Sequence, residues 1–256
     1  LCNSNMYKSS WVSHSSVCVC VESVAQKYDV MNDAMSLGIH RLWKDALLRA
    51  MNPQPGLRLL DTAGGTGDIS FRFLNYTRSV RERQLRQRAS YGSEREELPE
   101  TRAVVCDINK EMLKVGKERA ENAGITTGTA GDAEELPFDN DRFDVYTIAF
   151  GIRNVTHIEQ ALQEALRVLK PGGRFMLYHV VGDDVFCRLY DAYSFQMIPV
   201  LGEVIAGDWK SYQYLVESIR KFPDQVTVQD WTLAFFRVQY TNLSGGIVAL
   251  HSRVQL

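Results

Sequence analysis

Three short segments carry residue types suited to holding a charged nucleoside. Between Leu57 and Asp68 an apolar run stops at Asp61 and breaks into Thr62-Ala63-Gly64-Gly65-Thr66-Gly67. This reads as a strand, a tight turn and a helix start. Gly65 and Gly67 can take positive φ there and keep the peptide plane bare, so that a ligand can lie above the helix N-terminus. A second β-rich run, Ala103 to Cys106, ends in Asp107. The two carboxylate oxygens of Asp107 can accept both hydroxyls of a ribose, and capping a helix that begins near Asn109 is the competing use. Asp132 stands ahead of a further apolar run, Phe143 to Phe150. Three acids at three successive strand ends make one crevice.

The spacing separates two kinds of nucleotide binder. A dinucleotide fold wants G-x-G-x-x-G, and the position three after Gly67 is Ser70, so the pyrophosphate fingerprint fails. An Asp at the strand end followed by Ala-Gly-Gly-Thr-Gly resembles motif I of the class I methyltransferases that use S-adenosylmethionine. That resemblance implies a cofactor site in which Asp61, Gly65, Thr66 and Gly67 meet the methionine portion. It also implies that Asp107 holds the ribose, Asp132 accepts from the adenine amino group, and the backbone amide of Ala133 meets the ring.

Further segments narrow the resemblance. Tyr28-Asp29-Val30-Met31-Asn32, Ser36 and His40-Arg41-Leu42-Trp43 form one signature, Phe150-Gly151-Ile152-Arg153-Asn154-Val155-Thr156 a second, and Arg167-Val168-Leu169-Lys170-Pro171-Gly172-Gly173-Arg174-Phe175 a third. Together they resemble the quinone-biosynthesis C-methyltransferases of the UbiE/Coq5 family, from about Val21 to Phe222 and again over Gly245 to Ser252. The charged stretch Arg78 to Arg102 is similar to an insertion of the mitochondrial branch. The resemblance implies a class I α/β methyltransferase fold with a mostly parallel seven-stranded sheet. It further implies methylation of a ring carbon of a polyprenylated methoxy-benzoquinol in ubiquinone synthesis. Other subunits of a coenzyme Q synthesis complex would be partners, and the location would be peripheral, on the matrix side of the mitochondrial inner membrane. The sequence departs from the family at His179, where the family carries Glu, and at Val181, where it carries Ser. These departures, a polar and short third strand over Gly124 to Ala130, and Gln225 to Phe236 without the family's charged helix keep a second reading open. In that reading the chain is a catalytically impaired scaffold that binds the cofactor.

A ring carbon becomes nucleophilic only when an adjacent hydroxyl gives up its proton, so the site needs a place for charge. Arg153 follows the fourth strand and stays cationic, which suits stabilising a phenolate; pairing with Asp132 or Asp144 is its structural alternative. Asn154 can orient the ring hydroxyl or start a helix. His179, Tyr190, Asp191 and Tyr193 are candidate bases, and none is chosen over a water-mediated route. Tyr190 and Tyr193 lie in an apolar, aromatic segment within residues 183–222, which is expected to cover the crevice and receive a prenyl tail.

The elements that must position these groups follow from periodicity. Leu42, Ala46, Leu47 and Ala50 mark a helix over Ile39 to Met51, stopped by Pro53-Gln54-Pro55-Gly56. Met112, Val115 and Arg119 mark the next helix, with Gly124 as its stop. Thr156 and Glu159 fit a capping box ahead of a stripe at Ile158, Leu162, Ala165 and Leu169. Arg78 to Arg102 holds seven Arg and five Glu and reads as a solvated insertion, with contact to anionic lipid or a partner as the alternative. Residues 21–256 read as a single methyltransferase domain, and residues 1–20 are unassigned, resembling a transit peptide poorly because they are not Arg-rich.

With 256 residues, 45% hydrophobic and a formal net charge of −2, the chain can bury a large core, and nucleic-acid binding is not indicated. The five cysteines, Cys2, Cys18, Cys20, Cys106 and Cys187, form no C-x-x-C pair, which suggests reduced thiols and assigns no metal.

Overall fold

The computed structural model describes residues 28–90, 99–122, 129–180, 185–233 and 239–254. Helices α1 (Tyr28–Ser36) and α2 (Ile39–Met51) come first. The alternating units β1 (Arg58–Thr62), α3 (Asp68–Ser90), β2 (Arg102–Asp107), α4 (Lys110–Asn122), β3 (Thr129–Ala130), β4 (Phe143–Ala149), α5 (Ile158–Val168) and β5 (Leu169–Val180) follow. Helices α6 (Val185–Leu201), α7 (Trp209–Lys221) and α8 (Gln225–Leu233) precede the strands β6 (Gln239–Leu243) and β7 (Val248–Val254). The seven strands form one sheet in the order β3-β2-β1-β4-β5-β7-β6. Strands β1 to β5 pair in parallel, and β7 enters antiparallel between β5 and β6. The order reverses between β1 and β4, which opens a crevice at the carboxyl ends of these strands.

Helices cover both faces, so the central strands are apolar on both sides. Leu60, Tyr146, Ile148, Phe175 and Leu177 pack on one face with Leu162 and Ala165 of α5. Leu59, Val145, Met176 and Tyr178 pack on the other with Trp43, Leu47 and Phe73. The buried stripe of α2 is therefore Trp43, Leu47, Leu48 and Met51, whereas Leu42 and Ala50 are exposed. Trp43 offers far more apolar area than Leu42, and it sets the face that turns inward. A third cluster joins Met31 of α1, Ile198 of α6, and Tyr212 and Val216 of α7, so that α1, α6 and α7 pack together.

One local expectation, the capping box, is corrected, and two others gain detail. The charged stretch begins as helix: α3 runs unbroken to Ser90, burying Ile69, Ser70, Phe73 and Thr77 early and leaving its Arg-rich end largely exposed. Arg, Gln, Glu and Leu are good helix formers, so nothing stops the helix when its buried stripe ends. The capping box ahead of α5 does not form. The amides of Thr156 and His157 donate instead to Glu134 Oε1, at 2.8 and 2.9 Å. A carboxylate from outside the helix thus satisfies the amides of the N-cap residue and of the residue before it. Gln225–Leu233 is helical (α8) although it lacks the charges expected there. The third strand is only two residues long, as its polar sequence implied; the segment before it, residues 123–128, lies outside the described residues.

Candidate functional site

The turn after β1 has the backbone that its composition demands. Gly65 and Gly67 take φ of 56° and 81°. A Cβ on Gly65 would stand 3.1 Å from the end of Met112, and one on Gly67 3.2 Å from Val105. Ala63 and Phe150, which follow β1 and β4, also sit at positive φ, 50° and 64°. Positive φ is uncommon for non-glycine residues. The two turns touch, since a Cβ on Gly151 would lie 2.4 Å from Ala63 Cβ.

Asp107 ties the second strand to this turn. Its Oδ2 accepts from the Gly65 amide at 2.8 Å, and its Oδ1 accepts from the Asn109 amide at 2.8 Å. Asn109, not Asp107, caps α4, its Oδ1 accepting from the amides of Glu111 and Met112 at 3.0 Å. The capping role is thus taken, and the remaining lone pairs of Asp107 suit hydroxyl donors. Burial pushes the Asp107 carboxyl up, against the pull of its amide donors, so further hydroxyl donors would favour its ionised form. Asp132 holds an Asx turn, accepting from the Glu134 amide at 3.0 Å. Ala133 is buried beside it, in the core cluster that includes Cys106.

Asp61 is fully buried and accepts from Thr147 Oγ1 at 2.8 Å and Ser70 Oγ at 3.1 Å. Burial raises its pKa to about 6, with the two hydroxyls pulling the other way. An acid in this position prefers to ionise beside a cation. Asp61, Gly65 and Thr66 line a cavity of about 200 Å³ that also reaches Arg153, Asn154 and His179. Its far wall is Ile198 of α6 with Tyr212, Leu215 and Ile219 of α7. Gly67 faces a smaller cleft with Thr66, Leu113 and Lys117.

Arg153 and Asn154 sit in a 3₁₀ turn, Ile152–Asn154, directly after β4. Arg153 Nη1 donates to Asn154 Oδ1 at 2.7 Å and to Ser218 Oγ of α7 at 3.0 Å. Asp144, one of the acids weighed for Arg153, accepts from Lys170 at 2.6 Å. His179 shares a hydrogen bond of 3.0 Å with His251, Nε2 to Nε2, inside the sheet. Burial lowers these two rings to about 4 and about 3, so both are neutral near pH 7.

The expected lid divides. Tyr193 turns away from the cavity: its hydroxyl donates to the Ala34 carbonyl of α1 at 3.4 Å, and it packs with Met31 and Ile198. Tyr190 lies on α6, and its side chain, like that of Asp191, lies outside the described residues. The aromatic residues that do line the cavity are Trp43, Phe150, Tyr212, Tyr214 and Phe222. Two polar groups that the sequence reading did not place in the wall are Lys44, buried and paired with Asp68 at 2.7 Å, and His40, paired with Asp33. His40 belongs to the first signature and Lys44 follows it directly, and the helical offset of four between them was the available signal.

Comparison with known proteins agrees with this geometry. Residues 10–255 match the ubiE/COQ5 methyltransferase family. A zebrafish protein (Danio rerio) named 2-methoxy-6-polyprenyl-1,4-benzoquinol methylase, mitochondrial, is 72% identical over 92% of this chain and 78% of its own length. The human protein of the same name is 62% identical over the same shares. Among solved structures, an S-adenosylmethionine-dependent methyltransferase from Aquifex aeolicus overlays with a TM-score of 0.56 at 12% identity, covering 83% of this chain and 89% of its own. The [4+2]-cyclase SpnF overlays with 0.58 at 13%, covering 95% and 96%. Such likeness speaks for the fold alone, since the fold hosts more than one reaction. The sequence relationship decides the rest: the chain belongs to the ubiE/COQ5 methyltransferase family.

Proposed function

We propose that this protein transfers a methyl group from S-adenosylmethionine to a ring carbon of a polyprenylated methoxy-benzoquinol, as the names of its relatives describe for them. The observation that carries this reading is a single cavity with a cofactor turn on one wall and a guanidinium on another. The residues fit a sulfonium nucleoside. Gly65 leaves room at the turn, Asp107 offers a carboxylate to hydroxyl donors, and buried Asp61 favours a nearby positive charge. When bound, S-adenosylmethionine supplies an electrophilic methyl group.

The chain's own residues supply alignment and charge stabilisation. Arg153, held by Asn154 and Ser218, stabilises the negative charge that develops on the ring oxygen. Asn154 orients that hydroxyl. Tyr212, Leu215 and Ile219 exclude water and accommodate the apolar end of the substrate. Asp132 and the Ala133 amide hold adenine at the crevice's outer end.

Residues 21–256 work as one methyltransferase domain, and the segment 183–222 serves as its substrate cover. Phe195, Met197, Val200 and Val204 are exposed apolar side chains on α6 and the turn after it. They support peripheral contact with the matrix face of the mitochondrial inner membrane and with other subunits of a coenzyme Q synthesis complex. No helix among the described residues is long and apolar enough to cross a membrane.

The test is calorimetric titration with S-adenosylmethionine, followed by a quinol methylation assay. Wild type is expected to bind, Asp107→Ala to lose binding, and Arg153→Met to bind normally while turning over at least about 100-fold more slowly. Binding without turnover by wild type would replace the enzyme reading with a scaffold. Normal turnover by Arg153→Met would remove its assigned role.

A further inference from the structure

The first sequence signature, which contains Ser36, His40 and Trp43 and encloses Asp33, is not explained by the cofactor crevice. In the structure it builds an acid–imidazole pair. Asp33 is locked by Arg41, whose Nε donates to Oδ1 at 2.7 Å and whose Nη2 donates to Oδ2 at 2.6 Å. Oδ1 also lies 2.9 Å from His40 Nε2. The Arg41 guanidinium, with His40 second, holds the Asp33 carboxyl well below the usual carboxylate range. An ionised carboxylate can only accept, so His40 Nε2 carries the proton and Nδ1 keeps its lone pair. His40 is 8% exposed, lines the same cavity as Arg153, and its Nδ1 has no hydrogen-bond partner among the described residues. A buried acceptor left without a donor calls for one from a ligand.

We infer that His40, oriented by Asp33, is the catalytic residue that accepts the proton of the quinol's ring hydroxyl in the methylation proposed above. The O–H bond breaks and an Nδ1–H bond forms, while the electron pair remains on oxygen and is shared into the ring. The resulting imidazolium faces the Asp33 carboxylate. Once the ring carbon is methylated, its own proton leaves to water. His40 then returns its proton to the oxygen, so one proton is released per methyl transferred. The charged groups around the ring are Asp33 on α1, Arg41 and Lys44 on α2, and Asp68 on α3. Burial is the main influence on the imidazole and lowers its pKa, which leaves it neutral and able to accept a proton at pH 7.5. His179 is the rival within the same cavity, and its Nδ1 too is buried without a partner among the described residues. Its Nε2, however, is bonded to a second neutral imidazole, His251, whereas that of His40 meets an ionised carboxylate able to stabilise an imidazolium.

The test compares wild type, His40→Gln and Asp33→Asn as full chains. His40→Gln is expected to lose at least about 100-fold in kcat and Asp33→Asn at least about tenfold, with S-adenosylmethionine affinity within about twofold of wild type. Smaller losses overturn the assignment. A second readout needs neither turnover nor methyl donor. In ¹⁵N spectra of the wild type at pH 7.5, the His40 Nδ1 resonance is expected in the unprotonated range and should move when a short-tailed quinol is added. A protonated Nδ1, or one indifferent to the quinol, overturns the role. If wild type itself fails to methylate the quinol, the proposed reaction falls, and the spectra still decide whether His40 receives a ring hydroxyl.

Discussion

Replacing Asp61 by Asn tests the electrostatic logic of the cofactor wall. The carboxyl is fully buried, and its pKa is raised from 3.8 to about 6 by burial. The folded state therefore holds this proton more tightly than the unfolded chain does. Stability from this group is complete below about pH 4, declines as pH rises through the window from 3.8 to about 6, and is level above it. At about 1.36 kcal/mol per tenfold change in proton affinity, the ionised carboxylate costs the ligand-free protein about 3 kcal/mol at pH 7.5. About half of that cost has already appeared by pH 5. An amide keeps a carbonyl for Thr147 Oγ1 and has no charge to desolvate. In urea unfolding without ligand, the stability of Asp61→Asn relative to wild type should rise by about 1.5 kcal/mol between pH 5 and pH 7.5. Comparing the two proteins at each pH cancels every other titrating group. The same variant should bind S-adenosylmethionine more weakly, because the carboxylate that burdens the empty protein favours a cationic ligand. A stability difference that is constant with pH, or that shrinks as pH rises, would refute the argument.

Two further substitutions probe the architecture around the site. Glu134→Ala removes the acceptor for the Thr156 and His157 amides and should cost about 1–2 kcal/mol in thermal denaturation; an unchanged midpoint would mean that Glu159 forms the local capping box after all. Gly151→Ala places a Cβ 2.4 Å from Ala63 Cβ and should destabilise the fold by about 1–3 kcal/mol, with a parallel loss of S-adenosylmethionine affinity because the pushed partner is the cofactor turn.

The turn proposed to hold the cofactor was legible in the sequence as a turn, because its backbone requirements are local. Gly65 and Gly67 announce positive φ, and Asp61 and Asp107 stand at the ends of recognisable apolar runs. What remained hidden depends on distant partners. Glu134 reaches α5 from the loop after β3, and no offset within α5 could reveal it. Asp144, one acid open to Arg153 by sequence, is bonded to Lys170, while Arg153 reaches Ser218, 65 residues away on a different helix. Tyr193 had the composition of a substrate contact, but α6 turns it toward α1. The pairing of Asp33 with His40 crosses a turn at Leu37 and Gly38, both at positive φ, so a seven-residue offset that would suggest one continuous helix face brings the two together across a bend.

The position of β7 has a consequence for how this protein is made. Strands β1, β2 and β4, which carry the crevice, belong to the first 150 residues, but the outer edge of β5 pairs along seven residues with Val248–Val254. A chain emerging from the ribosome can form the turns after β1, β2 and β4 while a long apolar strand edge still stands open. Until the last strand arrives, that edge is a template for pairing with another chain. Because β7 is the last strand in sequence and lies between β5 and the edge strand β6, a truncation near residue 248 is expected to leave the outer edge of β5 unpaired.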